Sequence, residues 1–322
     1  MRIFQFLSFI FILSYTGVTF SAMMPNQTSI KHTSNSVEFK KAAQPLIIAH
    51  RGGTADGPEN TIPTIKSSVQ NGADIIWITV QLSKDGVPVL YRPSDLAALT
   101  ELTEPTTVSS MTAEELTELD AGHAYFKNVI KNNGDSYKIP TLSEVLIQFP
   151  NSKFFIDLKS PDANAKEYIE SVAHVVMDNN ASHRVRIYST SENYIDAASK
   201  YSSLNVFKSR DETRSILFGS KLSNQCNAKE MLPGWHAFEL NRQVEVVEHF
   251  MLGEGRTKAS FRWSKEDLSC FDTINNKIVL IGVNSKEDYL YAQSLGVYAV
   301  MVDSPKAVQC YKENPKRLYL CK

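Results

Sequence analysis

The sequence predicts an α/β protein built as a (β/α)8 barrel, a fold of about 250 residues. Short β-branched runs alternate with longer stretches whose apolar residues recur every three or four positions, which is the pattern of a largely parallel sheet covered by helices. Eight such runs fall within about 260 residues, the number and span that the barrel requires. No repeat, linker or low-complexity tract interrupts residues 45–322, so one domain is the economical reading. Composition agrees: with 43% hydrophobic and 10% aromatic residues, a disordered or collagen-like chain is excluded. Lys and Arg number 34 against 35 Asp and Glu, a formal charge of −1. No overall field therefore draws the chain to nucleic acid or to an anionic membrane, and any anion site has to be local.

In chain order, Arg2 precedes an apolar run from Ile3 to Val18 that ends in small residues at Ser21 and Ala22. Residues 1–22 thus have the form of a secretory signal peptide, followed by a polar lead-in over 23–44, which predicts a secreted or periplasmic protein. The strand candidates are Leu46–His50, Ile75–Leu82, Val87–Tyr91, Lys153–Lys159, Val185–Ser189, Leu204–Lys208, Lys277–Val283 and Tyr298–Asp303. Helical spacing marks Thr112–Leu119, opened by a Thr112–Glu115 capping box, then Thr141–Gln148 and Ala165–Asp178. Lys84, Asp85 and Gly86 leave no room for a parallel crossover, so Ile75–Arg92 is predicted as a hairpin with Thr79 roughly opposite Arg92. Alternation places Ile76, Ile78, Val80 and Leu82 on one face and Trp77, Thr79 and Gln81 on the other, and sets Asp157 with Lys159. Segment 211–271 lacks a clean period and is predicted as an insertion before the last strands; 306–322 reads as a C-terminal tail. Cys226, Cys270, Cys310 and Cys321 in an exported chain predict two disulfides. Of the three possible pairings, proximity favours Cys226 with Cys270 and Cys310 with Cys321.

Ile48-Ala49-His50-Arg51-Gly52-Gly53 closes a strand with a histidine, an arginine and two glycines, and Pro58-Glu59-Asn60-Thr61 follows just ahead of a helix. Glycines let backbone amides approach a ligand, and a guanidinium fork suits phosphate oxygens. Gly72-Ala73-Asp74, Val80 to Val89, Leu119 to Gly122, Ile139 to Leu146, Asp157-Leu158-Lys159 and Val302-Asp303-Ser304-Pro305 follow in order. Together these resemble the glycerophosphodiester phosphodiesterase family over most of Leu46 to Pro305. The resemblance implies a distorted TIM barrel of the phospholipase C-like phosphodiesterase type. It also implies phosphoric diester hydrolysis in lipid metabolism, with two histidines as acid and base and a divalent cation on three carboxylates. The chain departs from that pattern at the chemistry: Trp77 and Thr79 stand at two ligand positions, Asp157 at the third, and Arg92 and Pro93 where a histidine and an aspartate are usual.

Hard cations need several oxygen ligands, and an indole supplies none. Arginine does not give up a proton at ordinary pH, so Arg92 cannot act as acid or base, although it can bind phosphate. The sequence therefore predicts no metal and no cofactor. It predicts instead an anion pocket formed by Arg51, Arg92 and Lys159, with His50 as the one candidate catalytic residue and Glu59, Asn60, Trp77, Thr79 and Asp157 in support. Plainer readings stand beside this one: an Arg51–Glu59 brace, an Arg92–Asp157 ion pair, and Trp77 as core filling. Three function classes follow: a binder of a small phosphodiester or other phosphate-containing ligand with weak or no turnover, a metal-independent phosphodiesterase using His50 with Arg51, Arg92 and Lys159, and a structural module without a ligand. Oligomeric state is not legible.

Overall fold

The structure, a computed structural model, describes residues 44–127, 129, 136–223, 233–271 and 276–313. The signal-like segment, the lead-in to residue 43, Cys226, Cys321 and the end of the tail lie outside the described residues.

The elements run β1 (Leu46–His50), α1 (Ile62–Gln70), β2 (Ile75–Leu82), β3 (Pro88–Leu90), α2 (Ala113–Thr117), α3 (His123–Phe126), α4 (Leu142–Gln148), β4 (Lys153–Leu158), α5 (Ala165–Asp178), β5 (Val185–Ser189) and α6 (Glu192–Ser199). They continue with β6 (Asn205–Val206), α7 (Arg210–Ser223), β7 (Trp235–Glu239), β8 (Asn241–Phe250), β9 (Gly253–Arg262), α8 (Lys265–Leu268), β10 (Lys277–Ile281), α9 (Lys286–Leu295), β11 (Ala299–Val302) and α10 (Pro305–Glu313). Eight strands pair in parallel in the order β6-β5-β4-β2-β1-β11-β10-β7. At the seam between β6 and β7 the Lys208 N–H donates to the Trp235 carbonyl at 2.8 Å. The result is a nearly closed (β/α)8 barrel, as the sequence predicts.

Strand alternation builds two apolar layers. Outward residues such as Ile76, Ile78, Val80, Phe154 and Ile156 pack against Ile169, Val172 and Val176 of α5. Tyr168 of α5 reaches in to donate its hydroxyl to the Val80 carbonyl at 2.5 Å. The inward row of Ile48, Ile75, Trp77, Phe155, Tyr188, Phe207 and Met301 fills the barrel itself. Trp77 is the hub of that filling, with ring centroids 4.9 Å from Tyr188 and 6.2 Å from both Phe155 and Phe207. Capping boxes at Thr112–Glu115 and Thr141–Glu144 start α2 and α4, satisfying amides that the first turn leaves without partners.

Two expectations are corrected. The eighth barrel strand is β7, inside the segment 211–271 that reads as an insertion; α7 also belongs to the barrel, and the added element is the β8–β9 hairpin with α8. Within that segment Phe238–Val246 alternates in polarity, but it straddles the end of β7 and the start of β8, which hides both. The β2–β3 hairpin does centre on Asp85, closed by the Ser83 N–H to the Val87 carbonyl. Its register pairs Val80 with Leu90, and the Tyr91 N–H donates to Thr79 O at 3.1 Å. Thr79 therefore faces Tyr91, and Arg92 falls one residue past the pairing and is exposed.

Candidate functional site

Because β1 pairs with β11, with Ala49 beside Val302, His50 and Asp303 leave the two strand ends side by side. His50 Nδ1 lies 2.6 Å from Asp303 Oδ1, while Asn284 donates to Asp303 Oδ2 at 2.5 Å and accepts from the Asp303 N–H at 2.8 Å. The hydrogen bond from His50 holds the Asp303 carboxyl below its ordinary pKa, against the upward push of burial. With Nδ1 engaged, Nε2 is the ring nitrogen left for a ligand.

The loop after β1 turns sharply, with positive φ at Arg51 (48°), Gly52 (84°), Gly53 (105°) and Asn60 (60°). A Cβ on Gly53 would lie 2.6 Å from Ser68 Oγ, so both backbone angle and space require glycine there. The Asn60 N–H closes the loop on the Arg51 carbonyl at 2.7 Å, and Asn60 Oδ1 accepts from the Thr79 N–H at 3.0 Å, tying loop to β2. Arg51 Nη1 donates to Glu59 Oε2 at 2.5 Å, which realises the brace that the sequence offers as the plainer reading.

Across the β2–β4 ladder Thr79 stands beside Asp157. Asp157 Oδ1 is 3.5 Å from Lys159 Nζ, which also donates to Thr190 Oγ1 at 2.8 Å. Burial pushes the Asp157 pKa up to about 6, and the charges of Lys159, then Arg51 and His50, offset part of that push. Arg92 forms no ion pair among the described residues, so the alternative Arg92–Asp157 pair is not made. It stands on the outer rim, in a hollow of about 380 Å³ that it shares with Lys159, Thr190 and Tyr194. His50, Arg51, Glu59, Asn60, Trp77, Thr79, Asp157 and Lys159 all belong to the C-terminal end of the barrel; Trp77 is packed beneath that mouth rather than lining it.

Four buried polar atoms at this end have no hydrogen-bond partner among the described residues: Glu59 Oε1, Asn60 Nδ2, Thr79 Oγ1 and Asp157 Oδ1, the last of which has only the 3.5 Å ion pair to Lys159. Such orphans are uncommon, and their clustering marks a place built for something further. The donors fit a divalent cation poorly. Each of the two carboxylates already has a cation within 3.5 Å, Arg51 on Glu59 and Lys159 on Asp157. Trp77 supplies no lone pair, and no group of three or more His, Cys, Asp or Glu gathers among the described residues. The groups there that can donate to an oxyanion are Arg51, Lys159, Asn60 Nδ2 and the Thr79 hydroxyl, whereas Glu59 Oε1 and Asp157 Oδ1 can only accept.

Sequence reasoning passed over Asp303, Asn284 and Thr190 as functional groups. Closure of the barrel is the signal that finds Asp303, since it sets the first strand against the last. It also passed over Glu239 at the end of β7 with Arg210, Arg214 and Arg242 around it, for which no motif exists. No described cysteine is free, and Cys270 is buried. Both expected pairings involve a residue outside the described set.

The model of the glycerophosphoryl diester phosphodiesterase family matches residues 50–307. An uncharacterised protein of Mycobacterium tuberculosis, Rv2277c, is 38% identical over 287 residues, covering 87% of this chain and 93% of that one. The crystal structure of its glycerophosphoryl diester phosphodiesterase domain superposes with a TM-score of 0.74 at 37% identity, covering 84% of this chain and 100% of the domain. An Oleispira antarctica phosphodiesterase, solved with its product sn-glycerol-3-phosphate, shares the fold at a TM-score of 0.59 and 19% identity, covering 84% of this chain and 97% of its own. Matched over most of its length by that family's model and by a relative of the same extent, this chain belongs to the glycerophosphoryl diester phosphodiesterase family.

Proposed function

We propose that this barrel binds a small phosphodiester or other phosphate-containing ligand at a mouth where Lys159 and Arg51 supply the positive charge that a dication supplies elsewhere in the family, with no cofactor and with weak or no turnover. The observation that carries this is the Lys159 ammonium 3.5 Å from the Asp157 carboxylate, beside a Thr79 hydroxyl and an Asn60 amide nitrogen that lack hydrogen-bond partners among the described residues. An ammonium so placed both repels a dication and attracts a phosphate. The Oleispira protein's complex with sn-glycerol-3-phosphate supports a ligand of this kind. Calorimetric titration with a glycerophosphodiester tests the reading. Binding that persists in chelator and is lost in Lys159→Ala is expected; binding indifferent to Lys159→Ala contradicts it.

A second reading, slow metal-independent hydrolysis, is favoured by the His50–Asp303 pair, which orients Nε2 as a single acid or base. Losing the second such group costs about 10²–10⁴-fold in rate. Release of the alcohol from a glycerophosphodiester, abolished in a folded His50→Ala protein, would establish it. The same proposal places the protein outside the cytoplasm with two disulfides, supported by the apolar run behind Arg2 and the even cysteine count. N-terminal sequencing of the recovered protein should begin after residue 22, and a start at Met1 contradicts export by cleavage.

A further inference from the structure

Across the mouth from this site stands a second cationic group. In the order of the wall β7 is four strands from β2, and Trp235 and Ala237 of β7 point into the barrel, so Glu239 at the strand's end also points inward, at the mouth. α7 begins immediately behind β6 and brings Arg210 and Arg214, one turn apart, to the same carboxylate. Arg242, at the start of β8, reaches it from the other side. Glu239 Oε1 lies 2.7 Å from Arg242 Nη1, 3.0 Å from Arg210 Nη2 and 3.9 Å from Arg214 Nη2. Three guanidinium groups thus share one carboxylate oxygen, which leaves two positive charges in excess.

The excess is not satisfied among the described residues. At 3.9 Å Arg214 Nη2 is too far from Glu239 for a hydrogen bond, and it is buried with no hydrogen-bond partner among them. Burial, then the repulsion of Arg210 and Arg242, pulls the Arg214 guanidinium below its ordinary pKa. Burial would raise the Glu239 carboxyl, but its own backbone hydrogen bond and the three arginines hold it below the usual value, so Glu239 stays ionised and still cannot balance them. A network serving only to pin α7 and β8 to β7 has no use for a third guanidinium whose buried Nη2 has no hydrogen-bond acceptor. Tyr188 connects the two sides. Its ring lies against Trp77, and its phenol, raised mainly by burial, feels Asp157 from one side and Arg210, Glu239 and Arg214 from the other.

We propose that Arg210, Arg214 and Arg242 form a second anion subsite, facing His50, Arg51 and Lys159 across the barrel mouth, that takes a second phosphate carried on the alcohol portion of a phosphodiester ligand. The inference rests on the phosphodiester-binding reading above and narrows it to diesters with two anionic groups. A terminal phosphate suits the site because planar guanidinium forks bind its oxygens two at a time.

The test uses the full chain and three probes in calorimetry at one ionic strength: glycerophosphoglycerol, glycerophosphoglycerol phosphate and inorganic phosphate. The wild type should bind the two-phosphate diester at least about tenfold more tightly than the single-phosphate diester, the scale of one charge-assisted contact pair. Arg214→Gln, shown to be folded by its unfolding curve, should reduce the two-phosphate diester to the affinity of the other, and Arg214→Lys should recover part of the difference. Lys159→Ala should weaken both diesters. A wild type without the preference, or an Arg214→Gln protein that keeps it, overturns the subsite. Should neither diester bind, the phosphodiester reading fails by itself. Phosphate then decides the subsite: saturable binding lost in Arg214→Gln and kept in Lys159→Ala supports it, and any other pattern overturns it. If Arg214→Gln does not fold, Arg210→Gln takes its place with the same expectations.

Discussion

The two sides of the barrel mouth handle charge in opposite ways. On the β1–β2–β4 side the charged groups pair one to one, His50 with Asp303, Arg51 with Glu59 and Lys159 with Asp157, and among the described residues only Arg92 on the rim stands outside these pairs. On the β6–β7 side three arginines converge on Glu239 alone. The first side carries its unused capacity in neutral or acceptor atoms, such as Asn60 Nδ2 and Thr79 Oγ1; the second carries it in a guanidinium nitrogen. Counting charges would rank the second side as the ligand site and miss the first. Unsatisfied buried atoms cluster on the first side, and on the second the one such atom among the described residues, Arg214 Nη2, gains weight from the arginines around it, because an unpaired buried donor has lost its water without a replacement.

Substitutions that separate packing from charge sharpen this comparison. The largest effect is expected beneath the mouth. Trp77→Ala empties the centre of the aromatic cluster and should cost about 3–5 kcal/mol in denaturant unfolding. A ligand that fell away while stability held would instead make Trp77 a wall of the site.

Next comes Asp157→Asn. With its pKa near 6 in the folded protein against the ordinary 3.8, Asp157 is bound more tightly to its proton when folded. Its contribution to stability therefore declines as pH rises from about 4 to 6 and stays low above that. The asparagine variant should gain up to about 3 kcal/mol at neutral pH, a figure that already includes the attraction of Lys159, and nothing below pH 4. Unfolding curves at the two pH values check the sign; a variant less stable at neutral pH would mean that the Lys159 pair outweighs burial.

Arg51→Ala should cost about 1–3 kcal/mol, since it strands the half-buried Glu59 carboxylate, and Glu59→Gln made in addition should return part of that loss. Smallest is Arg92→Ala, on the exposed rim, which should leave stability within about 0.5 kcal/mol while the Lys159 side of the mouth keeps its ligand. A larger loss would show that Arg92 bears on the pairs it stands outside.

Much of the first side could be read from the chain. Alternation set Trp77 and Thr79 on one face of β2 and Asp157 with Lys159 at the end of β4, since a strand's period of two is fixed by its backbone; barrel closure makes the Trp77 face the inner one. The register error that put Arg92 opposite Thr79 is a slip of one residue, which is enough to move a side chain off the pairing altogether. The second side was not legible. Glu239 is the last residue of a strand that follows no clean run, and its arginines come from three separate positions whose convergence depends on how α7 and β8 start. Asp303 lay between these cases, inside a quoted motif but given its role only by the pairing of the first strand with the last.

The account turns on a fixed ammonium and guanidinium standing in for a dication. Thermal unfolding followed while Ca²⁺ or Mg²⁺ is added, first alone and then with a saturating glycerophosphodiester, tests this most directly, because an ion that binds the folded state raises Tm in proportion to the logarithm of its concentration. The account predicts a rise from the diester and none from either cation, with or without chelator. A cation-dependent rise in Tm that disappears in Asp157→Asn would contradict it.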